Sequence, residues 1–291
     1  MKIKDIALSA AAIGERAVKA IAIGAVEVWS AIKYIVFADP VVEQICVSNF
    51  SSDGVVVTKD DVKKVTSIGN IFTGNTEITR FDEFAYFTSV TSVNENAFVD
   101  CSSLISIVFP QSVKTIGGGA VARTAIHQFT IPDSVTNLPQ FLFVGCKNLT
   151  DVYFGKGVKK LGAQLFAETS HEVRIHAGLE QWINLSVSTN SLRANVYLAE
   201  ENITFPPTVT SLRENCFISN KMLKSVIVDA MDTLGKDCFV QCVNLTSFVI
   251  RQELKRIGIG ALAYTGLIEI NLSNTISIGV RAFESCTYIK K

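Results

Sequence analysis

Seven cysteines and three histidines are the residues of this 291-residue chain whose types could do nucleophilic or metal chemistry. Cys101 stands in the stretch NAFVDCSSLISIVFPQSVKTIG, directly before an apolar run. A reactive thiolate needs a base or positive charge nearby, and a zinc site needs paired ligands. The sequence has no CxxC pair, and Cys238 and Cys242 have no second pair or histidine close by. The pattern argues against zinc, and an odd cysteine count in a long chain argues against a disulfide framework.

The histidines His127, His171 and His176 show neither a Ser-His-Asp order nor an HExxH signature. No phosphate-binding loop or dinucleotide fingerprint is present, and the glycines of IGGGAV follow a repeat register, which makes them turn residues. The sequence therefore predicts no catalytic residue, no cofactor and no enzymatic activity. A glycan hydrolase acting through paired carboxylates is a rival of another class, but no residue pair supports it.

Composition and charge narrow the classes of partner. Lys+Arg and Asp+Glu are equal at 27 each, so no global field favours nucleic acid. Hydrophobic residues make up 48% of the chain, which suits strands buried on at least one side. The segment IALSAAAIG is similar to the apolar part of a signal peptide, but Asp5 interrupts its basic flank and no cleavage site follows. We expect no signal peptide, no nucleic-acid partner and no membrane span, because the uncharged stretches fall short of about 20 residues.

An internal repeat organises most of the chain. The pattern [IL]-G-x-x-A-F-x-x-C-x-x-L recurs with substitutions at spacings of 21 to 23 residues, apart from one gap of 51 that contains an atypical unit. Such a period is typical of leucine-rich repeats. The leading apolar residues are Val93, Ile116, Leu138, Leu161, Leu212, Leu234, Ile257 and Ile278.

Three columns of the repeat indicate a packed interior. The small position is held by Ala97, Ala120, Leu142, Leu165, Cys216, Cys238, Ala261 and Ala282. The next position, which predicts an interior stack, is held by Phe98, Val121, Phe143, Phe166, Phe217, Phe239, Leu262 and Phe283. The column of Cys101 contains Cys101, Thr124, Cys146, Thr169, Asn220, Cys242, Thr265 and Cys286. Other repeats have threonine or asparagine at the position of Cys101, and neither would replace a catalytic cysteine. Cys101 is therefore predicted to be a small residue that packs at a turn.

Alternating segments such as LISIVF and LTSFVI predict a strand in each unit, and stacking these strands one repeat apart predicts a parallel sheet. Pro110, Pro132 and Pro206 follow three of the strands and end them, because proline lacks the N–H that a ladder needs. The residues predicted to point outward are mostly β-branched and uncharged: Val108, Thr130, Tyr153, Thr204, Ile227, Val249 and Asn271. This column is either a binding surface or simply a row of good strand formers on a solvated sheet.

On these residues the pattern resembles the BspA-like, or Treponema-pallidum-type, leucine-rich repeat family over about residues 86–291. The stretch LEQWINLSV…NVYLAEENITFPPTV in the long gap is similar to an insertion common in that family. The resemblance implies a β-rich leucine-rich-repeat solenoid of parallel strands, with about eight to nine repeats of 22–23 residues. It implies a curved solenoid that binds partners, usually at cell surfaces, and it carries no catalytic motif.

The N-terminal third is predicted to be a small attachment and capping domain. Within residues 1–40 the Ala-rich run allows helix, but alternation on either side of Gly24 favours β-hairpins. Val18 to Trp29 loosely resemble hairpins found at the N-termini of bacteriophage tail and fibre proteins. Residues 41–85 resemble a degenerate EF-hand, a helix–loop–helix cap. Its loop is not expected to bind calcium, because it offers too few carboxylates at Asn49, Ser51, Asp53 and Asp60.

Together these features predict a non-enzymatic solenoid that recognises a protein or a surface glycan. The expected absence of an export signal favours a phage or prophage virion component, such as a fibre or receptor-binding protein, because such proteins leave the cell by lysis. Its N-terminal segment would contact other virion subunits, and it would act as an oligomer within that assembly. The alternative is a bacterial cell-surface adhesin of the BspA type, so the expected location is the virion or the bacterial surface.

Overall fold

The computed structural model describes residues 34–169, 172–188, 192 and 196–289. Residues 1–33, which contain most of the segment predicted to form hairpins, lie outside the described residues. Tyr34, the first described residue, forms an antiparallel bridge with Thr58.

Two helices and the loop between them precede the repeats. Helix α1 spans Pro40–Phe50 and helix α2 spans Lys59–Val62. Asp39 caps α1: its Oδ1 accepts a hydrogen bond from Val41 N at 2.9 Å, and a proline suits the first helical turn. The other oxygen of Asp39 accepts from Thr79 N at 2.6 Å and from Thr79 Oγ1 at 2.7 Å. This one buried carboxylate therefore joins α1 to the segment that leads into the first strand.

Repeat-like contacts already begin in the segment predicted to be the cap. Phe72 stacks on Phe98 with ring centroids 5.3 Å apart. Strand β1, Arg80–Phe81, is followed by a 3₁₀ helix at Asp82–Tyr86. The side chains Phe81, Phe84 and Phe87 are fully buried, as expected for residues that close the apolar interior of a solenoid.

The repeats form a solenoid of about eight coils, which confirms the predicted fold class. Short parallel strands lie on two sides of each coil, and residues of one coil pair with those 21 to 26 positions later. The first series consists of β1, β3 (Ser106–Ile107), β5 (Gln128–Thr130), β7 (Asp151–Tyr153), β9 (Val173–His176), β11 (Val196–Leu198) and β12 (Asn202–Thr204). The second series consists of β2 (Ser92–Val93), β4 (Thr115–Ile116), β6 (Asn137–Leu138), β8 (Lys160–Leu161), β10 (Ser186–Val187), β13 (Ser211–Leu212) and β16 (Ser277–Ile278).

Proline follows several of the short strands. In the turn after β5, Pro132 accepts a hydrogen bond from Val135 N at 3.1 Å, and Pro110 does the same for Val113 N. Two later coils have no proline there, and single long strands run through both sides of the coil: β14, Ser225–Leu234, and β15, Ser247–Ile257. The pair has a register shift after Val228. In these two coils one continuous strand takes the place of two short strands and a turn, whereas the coil of β7 and β8 keeps its short strands with Gly155 at the turn.

The third side of each coil is a turn with two residues of positive φ, four positions apart. Asn96 and Asp100 illustrate the pattern, with φ of 58° and 62°. Glycine fills the first of these positions in two coils, whereas Phe141 adopts it at φ 62°. Backbone hydrogen bonds also link neighbouring coils on this side, for example from Phe98 N to Ala120 O at 2.8 Å.

The columns predicted from the repeat form the core. The aromatic column is fully buried from Phe98 to Leu262. The leading apolar residues lie in the second strand series and are buried up to Ile257. Ile278 is about half exposed and lies in β16, which pairs with β15 alone among the described strands.

The 51-residue gap contains one atypical coil. Helix α3, Leu179–Ile183, replaces the proline turn after β9, and Val187 of β10 pairs with Leu161, which makes it the leading residue of this coil. Strand β11 pairs backward with β9, whereas β12 pairs forward with β14, so the first-series sheet steps between them. Trp182 is buried and donates its Nε1–H to Cys216 O at 2.9 Å, which anchors α3 to the next coil.

Candidate binding surface on the first strand series

The cysteine column makes structural hydrogen bonds. Cys101 donates its thiol hydrogen to Phe72 O in the preceding coil at 3.0 Å, and Cys242 donates in the same way to Phe217 O at 3.0 Å. Thr124, in the same column, donates to Val121 O of its own coil at 2.8 Å. Burial raises the pKa of the Cys101 thiol to about 11 and that of Cys242 to about 12. These thiols are therefore protonated at neutral pH, which makes them poor nucleophiles.

The loop with the degenerate EF-hand pattern uses its polar side chains internally. Asn49 donates to Ile45 O at 2.8 Å, and Ser51 donates to Asp53 Oδ1 at 2.8 Å. Asp53 also accepts from Val55 N, while Asp60 forms an exposed ion pair with Lys63. Within the described ranges no group of three His, Cys, Asp or Glu side chains is arranged to hold a metal ion.

The residues predicted to point outward fall into two registered sets, separated by the step between β11 and β12. In the first set Thr130 is opposite Tyr153. In the second set Thr204, Ile227 and Val249 are opposite one another. The predicted column ran from Tyr153 directly to Thr204, whereas the structure places His176 next to Tyr153.

The side chains that the alternating strand pattern predicted to point outward are exposed or partly exposed. Val108, Tyr153 and Val249 are exposed by 42%, 39% and 44%, and Ile227 is partly exposed. Val108 follows β3 and Asn271 lies outside the described strands, where it accepts from Ser273 N at 3.0 Å. Thr130, Thr204 and Asn271 are also exposed. Whether these seven residues bind a target stays a prediction.

A polar and aromatic cluster interrupts the first set. The rings of Tyr153 and His176 are stacked with centroids 4.2 Å apart and an interplanar angle of 11°. Asp151 accepts from Arg174 Nη2 at 2.6 Å, and its Oδ1 lies 2.7 Å from His176 Nε2. Beside them, Glu172 accepts from the Tyr197 hydroxyl at 2.6 Å.

Lys221 completes this cluster by donating to Glu172 at 2.5 Å. Burial alone would raise the pKa of Asp151, but hydrogen bonds from His176, Arg174 and Thr150 outweigh it and lower the pKa. Hydrogen bonds from Lys221 and Tyr197 lower the pKa of Glu172. Burial and the neighbouring Glu172 raise the pKa of the Tyr197 hydroxyl. Both carboxylates are therefore ionised at neutral pH, and Tyr197 is neutral.

Sequence reasoning did not predict five of these residues as part of the surface: Glu172, Arg174, His176, Tyr197 and Lys221. The sequence did contain a signal. Arg174 lies 23 positions after Asp151, and His176 lies 23 positions after Tyr153, which is the repeat spacing. It was hidden because the coil that contains them has no member of the aromatic column, and its leading residue Val187 is not followed by the usual glycine. His127 is exposed and precedes β5, while His171 falls outside the described residues.

A stack of short parallel strands repeated every 21 to 23 residues defines a leucine-rich-repeat solenoid. The family model described as the BspA type leucine rich repeat region matches residues 66–184 and 181–290, with six copies. The chain belongs to this family, which confirms the resemblance carried by its repeats. The search of curated proteins finds no match.

Several solved structures match the chain at low identity. The pneumococcal vaccine antigen PcpA is 15% identical with a TM-score of 0.41, and the match covers 70% of this chain and 59% of PcpA. The Treponema pallidum leucine-rich repeat protein is 17% identical with a TM-score of 0.33, covering 69% of this chain and 70% of that one. A leucine-rich cell surface protein from Faecalibacterium prausnitzii is 18% identical with a TM-score of 0.33, covering 81% and 76%.

These comparisons give no support to the phage tail resemblance of the N-terminal residues. In the part of the chain that the structure describes, every helix is too short or too polar to cross a membrane.

Proposed function

We propose that this chain is a non-enzymatic binding protein that acts at a bacterial cell surface and recognises its target with the exposed face of the first strand series. The observation that carries the proposal is the registered alignment of Thr204, Ile227 and Val249 on three neighbouring strands. Their side chains form an uncharged, mostly apolar strip on a rigid sheet. Continuous exposed apolar strips mark interaction sites more often than bare surface.

Preorganisation supports this role. Each strand of the strip is hydrogen-bonded to its neighbours, and the inward side chains Val226 and Phe248 are buried beneath it. A partner that docks on such a surface orders little backbone, so little of the binding free energy is lost to conformational entropy. The thiols of Cys101 and Cys242 are instead protonated and held in the interior, which favours binding over chemistry.

The cell surface is favoured over the virion as the place of action. Membership of the BspA type family supports it, and one solved relative is described as a cell surface protein. The virion alternative, a fibre or receptor-binding subunit attached through its N-terminal segment, depends on residues outside the described part of the chain. Neighbouring genes for capsid or tail proteins would favour that alternative.

Charge placed on the strip tests the proposal. The labelled full chain is applied to arrays of glycans and of extracellular-matrix proteins, together with the double variant Ile227→Lys/Val249→Lys. The control is Val243→Lys, because Val243 is 52% exposed but lies on the turn side of its coil. We expect the double variant to lose at least about tenfold in affinity for the bound probe while the control keeps it.

Equal binding by the double variant and the control would contradict the proposed surface, and so would the absence of binding to either array. Circular dichroism of both variants checks that the strands are retained. A substitution on an exposed strand position changes stability by about 0.5 kcal/mol or less in most cases, so a folded variant is expected.

A further inference from the structure

The outward side of the second strand series carries a strip of exposed polar residues. From β2 to β10 the strip consists of the outward residue of each strand and, where it is exposed, the residue before it. Ser92 is opposite Thr115, and Lys160 is opposite both Asn137 and Ser186. We call the following residues the second-series strip: Thr91, Ser92, Lys114, Thr115, Thr136, Asn137, Lys159, Lys160 and Ser186.

The charges of this strip are all positive. Lys114, Lys159 and Lys160 are exposed, and the strip contains no carboxylate. Within the part of the chain that the structure describes, the ammonium groups of these lysines form no ion pair. Lys255 occupies the same repeat position as Lys114 and Lys159 in a later coil, but there Asp232 of the preceding coil contacts its Nζ at 2.7 Å. The strip therefore lacks the carboxylate that neutralises the equivalent lysine farther along the solenoid.

The carboxylates of this region belong to the flanking turns and to helix α3. Glu95 follows β2, Asp133 precedes β6 and Glu180 lies in α3, and all three residues are exposed. Asp133 Oδ1 accepts a hydrogen bond from Lys156 N at 3.0 Å, and the exposed Lys156 adds a positive charge to the same turn. The positive strip is therefore narrow, with negative charge on either side of it.

Lysine alternates with threonine along the solenoid axis. Lys114, Thr136 and Lys159 occupy one repeat position in three successive coils. The Ser134 hydroxyl donates to Val113 O at 2.6 Å, which joins the first two of these coils, and Lys159 N donates to Thr136 O at 2.8 Å, which joins the second and the third. Because neighbouring strands are about 4.8 Å apart, the backbones of Lys114 and Lys159 are separated by roughly 10 Å. The strip therefore presents a cation, a hydroxyl and a cation in a row on a hydrogen-bonded backbone.

A broad anionic partner fits this strip poorly. Duplex DNA is typically bound through about 6–10 phosphate contacts, and anionic membranes are bound through clusters of about 4–8 lysines or arginines, whereas the strip has three lysines. A duplex or a membrane is also wide enough to reach the carboxylates of the flanking turns. A narrow chain that lies along the strip meets the cations and avoids those carboxylates. A linear polysaccharide in which anionic and neutral sugars alternate matches the order of the strip, since sugar hydroxyls bond to threonine and asparagine side chains.

From this arrangement we propose that the second-series strip binds a linear anionic polysaccharide that lies along the solenoid axis. Sulfate or carboxylate groups of the polysaccharide contact Lys114, Lys159 and Lys160, and hydroxyls of its neutral sugars bond to Thr136 and Asn137. This site lies on a different strand series from the surface of the proposed function, and it does not depend on that function.

The test measures binding of the full chain to immobilised heparin, dextran sulfate and hyaluronan, with neutral dextran as the blank. The glutamine site variant is Lys114→Gln/Lys159→Gln/Lys160→Gln. The arginine site variant, Lys114→Arg/Lys159→Arg/Lys160→Arg, keeps the positive charges at the same positions.

The matched control removes the same amount of charge from lysines that are already paired. It is Lys221→Gln/Lys224→Gln/Lys255→Gln, whose three lysines contact Glu172, Glu201 and Asp232. Thermal unfolding of all three variants checks that they are folded, as expected for substitutions at the surface.

We expect the parent chain to bind at least one of the three anionic polysaccharides and not dextran. The glutamine site variant should lose about tenfold or more in affinity, because each exposed ion pair contributes modestly and three are removed at once. The arginine site variant and the control should bind as the parent does. Binding should weaken as the NaCl concentration rises from about 0.05 to 0.5 M, since salt screens exposed charges. Binding of the two sulfated probes without hyaluronan would assign sulfate as the recognised group, whereas binding of hyaluronan as well would assign carboxylate.

Anionic-polysaccharide binding that the glutamine site variant retains, or that the control loses equally, would overturn the inference. The absence of binding to all three polysaccharides would overturn it too, and so would equal binding to dextran. Tighter binding to vesicles that contain phosphatidylserine, or to polyglutamate, would indicate a membrane or an acidic protein segment as the partner and would also overturn it.

The two strand series are distinguished by their variants. A probe bound at the second-series strip should be lost in the glutamine site variant and retained by Ile227→Lys/Val249→Lys. A probe bound at the first strand series should show the reverse. Each proposal can therefore fail while the other stands.

Discussion

The rings of Phe217 and Phe239 are parallel within 2°, with their centroids 5.1 Å apart, and they belong to successive coils. Both side chains are buried. Each of these coils therefore contributes one phenylalanine ring to a shared core, and the ring of the later coil covers the ring of the coil before it. In such a solenoid stability is carried by contacts between neighbouring coils, so one truncation weakens two interfaces.

Phe239→Ala is expected to lower the free energy of unfolding by roughly 3–5 kcal/mol, the usual cost of truncating a buried phenylalanine. Chemical denaturation followed by circular dichroism measures the change. Val243→Ala serves as the control, because this residue of the same coil is about half exposed. A loss of less than about 1 kcal/mol for Phe239→Ala would mean that the aromatic column is not close-packed.

Cys101→Ser is expected to cost less than Phe239→Ala, about 1–2 kcal/mol, because serine keeps the hydrogen bond to Phe72 O but buries a more polar group. Any target binding should survive, since the thiol is an interior group and not part of the binding surface. Denaturation and the array assay measure the two effects. Loss of binding in a folded Cys101→Ser variant would contradict the structural role of this cysteine.

Phe141→Asn is expected to stabilise the chain by about 1 kcal/mol, because Phe141 has a φ of 62° and asparagine tolerates this left-handed conformation better than phenylalanine. The equivalent residue in the preceding coil is Gly119, at φ 63°. Differential scanning fluorimetry should show a rise of about 2–4 °C in Tm.

Gly119→Ala is the opposite control, since an added Cβ would also lie 2.5 Å from Asn96 Oδ1. It should lower Tm. A lower Tm for Phe141→Asn would show that the partly exposed phenyl ring contributes more than the strained backbone costs.

Acid should destabilise the chain in part through Asp39. Burial raises the pKa of this carboxyl, but hydrogen bonds from Thr79, Val42 and Val41 outweigh burial, and the folded pKa lies below the ordinary value of 3.8. The unfolded chain therefore binds the proton more readily than the folded one. The stabilisation is complete above the unfolded pKa and is lost as the pH falls through the lower, folded pKa.

Asp39→Asn should accordingly be less stable than the parent at pH 7, and the difference should narrow as the pH falls below about 4. Urea denaturation across pH 2–7 measures it. Asp60→Asn is the control, because the Asp60 side chain is 78% exposed and its ion pair with Lys63 is a surface pair. A constant difference across this pH range would contradict the role assigned to the ionised Asp39.

The repeat made much of the fold predictable. The recurrence of Phe98, Phe143 and Phe239 at one repeat position predicted the interior column, because stacked coils place equivalent residues of successive repeats in contact. Proline predicted the short strands, since Pro110 and Pro132 lack the N–H that a longer ladder requires. The family resemblance followed from these same positions.

Other features depend on contacts that no single repeat displays. The partner of Cys101 is a carbonyl in the preceding coil, and the partner of Tyr153 is His176 in a coil whose sequence departs from the pattern. The left-handed backbone at Phe141 is also hidden, because phenylalanine seldom adopts it and the coil geometry imposes it. The candidate surface could therefore be located from alternation, whereas its charged and aromatic cluster could not.

Hydroxyl-radical footprinting of the unmodified full chain, with and without the glycan or protein probe that it binds, tests the central claim most directly. Tyr153 and Tyr264 are exposed by 39% and 43%, and they lie on the strand side and the turn side of their coils. Mass spectrometry measures the oxidation rate of each tyrosine. We predict that the bound probe slows oxidation of Tyr153 and leaves Tyr264 unchanged. Protection of Tyr264 without protection of Tyr153 would contradict the assignment of the first strand series as the binding surface.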